Sequence, residues 1–526
     1  MKDNYNRGTV TRRRFLQGSA LAGIATAGFI STASGLLLPK SSFAAQPKTG
    51  GTLRMGLAGG STTDSLDPRT YADSVPMVVG YTLMNGLIEI DDNNRPVPEL
   101  FESWSAEDNA RKWVFKVRQG IAFHNGKTLD AEDIVYSINL HRGDSKSGLV
   151  SQMKGVTDVV VSDKNEVTVT LDESDADLPY TLADYHMLVV PKDFNDWAKP
   201  VGTGAYQIES WEPGVRVVAK KAGTYWKEGR GMLDAVDITV INDSAQRMNA
   251  LLTGQVDAIH RVDKKTVEML KAAPGIELVE GRNGWHAVMA AQIDQPPYDN
   301  KDLRLAMKYA VDREQILKTL FNGFGSVGND HPIPPGDPYY NSELPQYSYD
   351  PDKAKFHFQK AGLSSPKIAL SASDAAFGGA TDMAVLFQGS AAKAGLVVSV
   401  KRESADGFYD NVWLKAPFVT SYWNGRPSAT QALTAPYRKG APWNETHWAN
   451  DQYEKLLSEA KAETDEAKRK QYIWDMQALL HDDGGCLIPV FSGTLDAYNQ
   501  NVKGYSPTGW LELGNCRISE KAWLEG

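Results

Sequence analysis

Nine histidines and two cysteines are the residues of this 526-residue chain best suited to metal or thiol chemistry, and their spacing supports neither. The histidines are scattered, with no HExxH pair on one helix face and no CxxC to complete a metal site. Cys486 and Cys516 lack the helix-start or histidine context that would activate a thiolate. Gly56-Leu57-Ala58-Gly59-Gly60 has neither the GxGxxG spacing nor the Lys-Ser/Thr of a phosphate loop, so it is expected to be a turn. No GxSxG elbow is present. No metal, cofactor or catalytic residue is therefore expected, and the chemistry left to the chain is noncovalent binding.

The elements that must position such a site are of both kinds. Alternation over Trp113 to Val117 predicts a strand, and Val156 to Val161 with Val167 to Leu171 predicts a hairpin. A second hairpin is expected through Glu212-Pro213-Gly214, from Tyr206-Gln207-Ile208 to Val215 through Val218. Asp130 is placed to cap a helix carrying Ile134, Val135 and Ile138, and Leu303, Met307, Ala310 and Val311 mark the apolar face of another. A long helical region is expected from Tyr453 to His481, stopping at Gly484-Gly485. The stretch Gly323 to Tyr349, with five prolines, is too long for an ordinary connection and is expected to be functional or wrapped around another domain.

The first 44 residues read as an export address. Arg12-Arg13-Arg14-Phe15-Leu16 precedes a weakly apolar run from Gly18 to Leu38 and the small residues Ser42-Phe43-Ala44, the pattern of a removable signal peptide of twin-arginine type. A membrane anchor is the alternative, but the run is rich in Gly, Ala, Ser and Thr. Cleavage near Ala44/Ala45 would release a periplasmic protein without membrane insertion. The removed piece carries six Lys/Arg and one Asp, so the formal charge falls from −9 by five more, to −14. Such a surface is a poor partner for nucleic acid. In an oxidising compartment Cys486 and Cys516 are expected to form a disulfide worth about 3 to 4 kcal/mol on the chain-entropy model, with two buried free thiols as the alternative.

From Gly50 onward, landmarks accumulate in one order: Gly50-Gly51-Thr52-Leu53, Leu66-Asp67-Pro68, Pro98-Glu99-Leu100 with Glu102-Ser103-Trp104, Phe123-His124-Asn125-Gly126 with Ala131-Glu132-Asp133, Val201 to Tyr206, Tyr225-Trp226, Gly254-Gln255-Val256-Asp257 and Val311-Asp312-Arg313. Together they resemble the family-5 extracellular solute-binding proteins, the oligopeptide, dipeptide and nickel receptors of ABC importers. The resemblance implies an α/β, two-lobed periplasmic binding protein of type II (Venus-flytrap), with an extra subdomain on the first lobe. Residues 45–87, 201–287 and 496–526 would form lobe one, 88–200 the subdomain and 288–495 lobe two. The landmarks themselves are expected to be structural: a turn into a capped helix at Phe123 to Gly126, a tight passage at Gly202 to Gly204, and a helix-surface pair at Asp312-Arg313.

In peptide-binding members an aspartate shortly after a lobe-two tryptophan holds the ligand's amino terminus, and dipeptide binders add an arginine for the carboxylate. Here Tyr422-Trp423-Asn424-Gly425-Arg426-Pro427 has Arg426 about where the aspartate belongs, and Asp374 stands where the arginine is sought. This reversed pair could hold a zwitterion, Arg426 forking onto a carboxylate and Asp374 taking an ammonium. The alternatives are a helix cap near Ala375 for Asp374 and a surface ion pair for Arg426. Among the local aromatics, Trp423 and Trp443 are expected to touch ligand, with Trp285 beside the hinge; Asn329 and His331 on the long loop are weaker candidates.

The expected protein is a monomeric receptor that passes a small polar or zwitterionic compound, a di- or tripeptide or a modified amino acid, to importer permease subunits driven by separate ATPase subunits. An opine, sugar-conjugate or quaternary-amine receptor is the near rival, and an exported hydrolase the distant one. Changing Arg12 and Arg13 to Lys should leave unprocessed precursor in the cytoplasm. Mature N-termini still beginning near residue 45 would rule out the twin-arginine route.

Overall fold

The strand Thr52–Leu57 pairs in parallel on both flanks with segments from far along the chain, Ala235–Val240 and Ala258–Ile259. These belong to a seven-stranded sheet in the order Ile276–Glu280, Leu495–Asn499, Ala258–Ile259, Thr52–Leu57, Ala235–Val240, Arg216–Lys221, Tyr206–Glu212. The computed structural model describes residues 47–281, 284–362, 367–404, 408–506 and 510–525, so the expected export segment and cleavage point lie outside the described residues.

A second, six-stranded sheet runs Ser326–Val327, Cys486–Phe491, His286–Ala291, Phe418–Trp423, Lys367–Ala372, Val397–Arg402. Its central strand His286–Ala291 is buried along its whole length. The period-two alternation of side chains sends Ala287, Met289 and Ala291 into one core, with Leu303 and Met307 of helix Lys301–Ala310 and Met383 and Phe387 of helix Ala380–Lys393. Val288 and Ala290 enter the opposite core, with Leu433, Leu456 and Met476 from three further helices. A four-stranded antiparallel sheet, Phe101–Glu107, Lys112–Val117, Glu166–Leu171, Val156–Asp163, packs with helix Ala131–Asn139 around its own core. The result is a two-lobed α/β molecule with an extra subdomain on the first lobe.

Local signals account for much of this. Asp130 and Asp133 form a capping box at the start of helix Ala131–Asn139. A Cβ at Gly202 would lie 2.2 Å from the Leu83 carbonyl oxygen, and one at Gly204 2.5 Å from the Leu83 carbonyl carbon, so this passage admits only glycine. The expected helical region near the C-terminus is two helices, Asp451–Ala462 and Glu466–Asp483, and the second ends at Gly484.

Two expectations are corrected. Arg313 is not a helix-surface residue: it is buried, forks onto Asp330 at 2.8 and 2.9 Å, and donates to the Lys308 and Tyr347 carbonyls. It thereby ties the long loop 323–349 to its own lobe. The two cysteines are free, because Cys486 sits in the second-lobe core beside Trp423 and Tyr437 while Cys516 sits in the first-lobe core with Tyr206 and Ile518. Proximity in sequence does not bring together two residues assigned to different cores. Thiol labelling of the denatured, unreduced mature protein should attach two labels per chain; none would restore the disulfide.

Candidate ligand-binding cleft

The chain leaves the first-lobe sheet after Glu280 and enters the second at His286, then returns between Phe491 and Leu495. The two crossings run side by side: Gly281 N–H donates to the Thr494 carbonyl at 2.8 Å and Ser492 N–H to the Trp285 carbonyl at 2.9 Å. A Cβ at Gly493 would lie 1.5 Å from the Gly281 carbonyl oxygen, so the contact requires glycine. Lys264 of the first lobe donates to Ser492 Oγ and, at 2.8 Å, to the Gly493 carbonyl. Its ammonium lies 5.4 Å from the centre of the Phe321 ring, and burial pushes its pKa down to about 8.

A cavity of about 500 Å³ opens beside these crossings, with Arg261, Lys264 and Glu512 on the first-lobe wall and Phe321, Phe377 and Asn424 on the second, next to Trp285. Arg261 Nη2 bridges Asp73 at 2.7 Å and Glu512 at 2.8 Å. Glu512 also accepts from Ser74 Oγ; burial alone would raise its pKa, but His260, Arg261 and Ser74 hold it well below the usual carboxylate range. His260 Nε2 accepts the Ala58 N–H at 2.9 Å, which places a proton on Nδ1, 3.5 Å from Glu512. Behind Glu512 the backbone makes a left-handed turn, with φ of 53° at Leu513, 61° at Gly514, 63° at Asn515 and 59° at Cys516. For the three residues other than glycine this costs roughly 1 to 2 kcal/mol each. Asn515 Oδ1 and Asp496 Oδ2 hold it by accepting the Leu511 and Leu513 N–H groups.

On the second wall Trp285 stacks on Tyr422, with ring centres 6.0 Å apart, and meets Phe377 edge-on at 5.3 Å. Farther along the same segment lies Arg426, partly buried. Among the described residues no hydrogen bond or ion pair reaches it; burial lowers its pKa, opposed only by the fields of Tyr185 and Asp184. Tyr185 packs against the first-lobe core and stacks on Trp510, with ring centres 6.1 Å apart. Arg426 is thus a cation drawn partly out of water between the lobes without a carboxylate partner.

The other expected residues are placed elsewhere. Asp374 is exposed and accepts the Thr381 N–H at 3.0 Å, capping helix Ala380–Lys393 rather than meeting Arg426. Trp423 is buried and donates its indole N–H to Glu445, with Trp443 6.1 Å away and half exposed. Asn329 is buried, accepting from Tyr347 N–H and donating to the Pro345 carbonyl. His331 is fully buried, and desolvation pushes its pKa down to about 3. Only Trp285 and Arg426 of the expected set stand at the meeting of the lobes. Sequence reasoning missed Asp73, Arg261, Lys264 and Glu512, which carry no motif and converge only through the sheet topology.

Two separately cored sheets, joined by paired crossings and facing one another across a charged and aromatic cleft, define a two-lobed solute-binding protein. The chain belongs to the bacterial extracellular solute-binding proteins of family 5, whose middle-region model matches residues 95–445. Members of this family bind peptides or small molecules and work with ABC permeases; the chain is a binding protein and not an enzyme. It is 25% identical over 500 residues to the dipeptide-binding protein of Escherichia coli K12, covering 85% of this chain and 90% of that one. Among solved structures, HbpA2 from Haemophilus parasuis superposes with a TM-score of 0.82 at 19% identity, over 90% of this chain and 100% of that one. The binding protein AgaA of A. tumefaciens R10, in complex with agropinic acid, superposes at 0.69 with 25% identity, over 90% and 99%. No helix of the described residues is long and apolar enough to cross a membrane, and none of their His, Cys, Asp or Glu side chains form a group of three that could hold a metal ion.

Glu445 gives the second lobe a pH dependence. Burial pushes its pKa up to about 7, against the hydrogen bond from the Trp423 indole N–H. A carboxyl raised in the folded state adds stability that is complete below its unfolded pKa and disappears as pH rises through 7. Glu445→Gln should therefore gain in melting temperature relative to the parent between about pH 5.5 and pH 8. A difference that does not change with pH would show Glu445 to be ionised throughout.

Proposed function

We propose that the protein is an exported, periplasmic receptor that captures a small polar or zwitterionic compound bearing a carboxylate, of the size of a di- or tripeptide or modified amino acid, and delivers it to an ABC importer. The observation that carries this is Arg426. An arginine taken partly out of water without a carboxylate partner is stabilised when a ligand carboxylate or phosphate forks onto it, and such charge-assisted pairs are the stronger ones. The ligand's cationic end would find Asp73 and Glu512 on the first lobe. Trp285, Tyr422 and Phe377 offer an apolar wall for the rest.

In this reading the signal peptide is removed near Ala44/Ala45, the lobes comprise 45–87, 201–287 and 496–526 against 288–495, with 88–200 as subdomain, and the receptor acts as a monomer with permease and ATPase on separate chains. Closure follows from contact with both walls, because a ligand shifts the equilibrium only by its differential affinity for the closed state. An opine is a second reading, favoured by the likeness to AgaA with its agropinic acid. It places an acid on Arg426 in the same way.

Native mass spectrometry of freshly purified protein should show a bound small molecule with an acidic group, and Arg426→Ala should lose it, since truncating one half of a desolvated charge pair costs about 2 to 5 kcal/mol of binding. A ligand at a hundredfold excess over its Kd should add about 2.7 kcal/mol of stability to the parent and less than about 1 kcal/mol to the variant at the same concentration. An Arg426→Ala protein that retains the same bound mass would remove Arg426 from the site.

A further inference from the structure

The lobes are also joined far from their crossings. Asp177 precedes the short helix Leu178–Thr181 of the extra subdomain and is 1% exposed. Both of its oxygens are taken by the second lobe: Arg469 of helix Glu466–Asp483 donates to Oδ1, and Ser428 Oγ donates to Oδ2 at 2.8 Å. Arg469 is 5% exposed and held within its own lobe by the Ala460 carbonyl at 3.0 Å and by Tyr339, whose ring centre lies 5.4 Å from the guanidinium. Around this pair Ala176 N–H donates to the Lys461 carbonyl at 2.7 Å, Gln431 reaches Thr181 Oγ1 at 3.3 Å, and Arg95 meets Glu466 at 2.9 Å on the exposed rim.

We propose that this clamp, and not the two crossings alone, sets the angle between the lobes, and that it couples this angle to the ligand-contacting segment of the second lobe. The crossings are joined to one another by two backbone hydrogen bonds, which resist separation of the lobes more than rotation about the line of the crossings. The clamp resists rotation, because turning either lobe would pull apart a buried ion pair and leave one charge unpaired in a poor solvent. The coupling is a matter of chain geometry. Ser428 caps helix Ala429–Tyr437 through the Gln431 N–H and donates to Asp177 with the same hydroxyl, and it lies two residues after Arg426. Whatever pulls on Arg426 pulls on the cap that fastens the lobe.

The coupling rests on the proposed role of Arg426, whereas the test of the clamp needs no ligand, so the two can fail separately. Both native cysteines are buried, so nitroxide labels can be directed to Glu107→Cys on the subdomain and Lys455→Cys on the second lobe, both exposed. Pulsed electron–electron resonance on the ligand-free protein should give one narrow distance distribution. Asp177→Asn or Arg469→Gln should add a longer-distance population, and the double variant should resemble the single ones rather than sum them. Ser428→Ala, which leaves no buried charge unpaired, is the milder variant should the others fail to fold, and should give the same change in smaller amount. Distributions identical to the parent's in variants whose near-ultraviolet circular dichroism is native would overturn the proposal and leave Asp177 and Arg469 as packing residues.

Discussion

An arginine side chain partly withdrawn from water, without an ion-pair partner among the described residues, is the feature around which the rest of this molecule makes sense. A charge in that position is costly in a single packed core, where burial demands pairing. It is tolerable between two bodies that pack independently, because the junction between them keeps some access to water. The separate cores provide that junction. One faces the seven-stranded sheet, two lie on the opposite faces of the six-stranded sheet, and the chain passes between them through crossings so close that Gly493 has no room for a side chain.

The first-lobe wall is held at a conformational cost. Glu512 reaches the cavity from a left-handed turn in which Leu513, Asn515 and Cys516 all adopt positive φ, and Arg261 itself has φ of 50°. Strain of this kind persists where the surroundings over-determine it and marks functional positions more often than structural ones. Here the turn fixes a carboxylate that Arg261 links to Asp73, so this first-lobe wall presents two carboxylates held by one guanidinium. Lys264 joins that wall to the crossings.

Much of the fold could be read along the chain because its signals are local. The Asp130 cap, the hairpin at Glu212-Pro213-Gly214, the tight glycines at 202 and 204 and the stop at Gly484 each depend on a few adjacent residues. The ordered landmarks carried the family as well. The site was less legible because its residues meet only through long-range topology: Asp73, Lys264 and Glu512 come from three distant parts of the chain. Trp423 illustrates the opposite error. Its position in the landmark segment suggested a ligand contact, but strand alternation turns its ring into the second-lobe core, toward Glu445, while Tyr422 on the other face meets Trp285. The disulfide expectation rested on an oxidising compartment, which says nothing about the assignment of Cys486 and Cys516 to different cores.

The central claim is that Arg426 is completed by the ligand. A crystal structure of the protein with the compound it retains, or with one captured from a periplasmic extract, tests it most directly. The account predicts an acidic group of the ligand forked onto the Arg426 guanidinium at charge-assisted distances of about 2.7 to 2.9 Å, with further contacts from the wall of Asp73 and Glu512. A ligand seated in the cleft while Arg426 pairs with a carboxylate of the protein, or points into solvent, would contradict it.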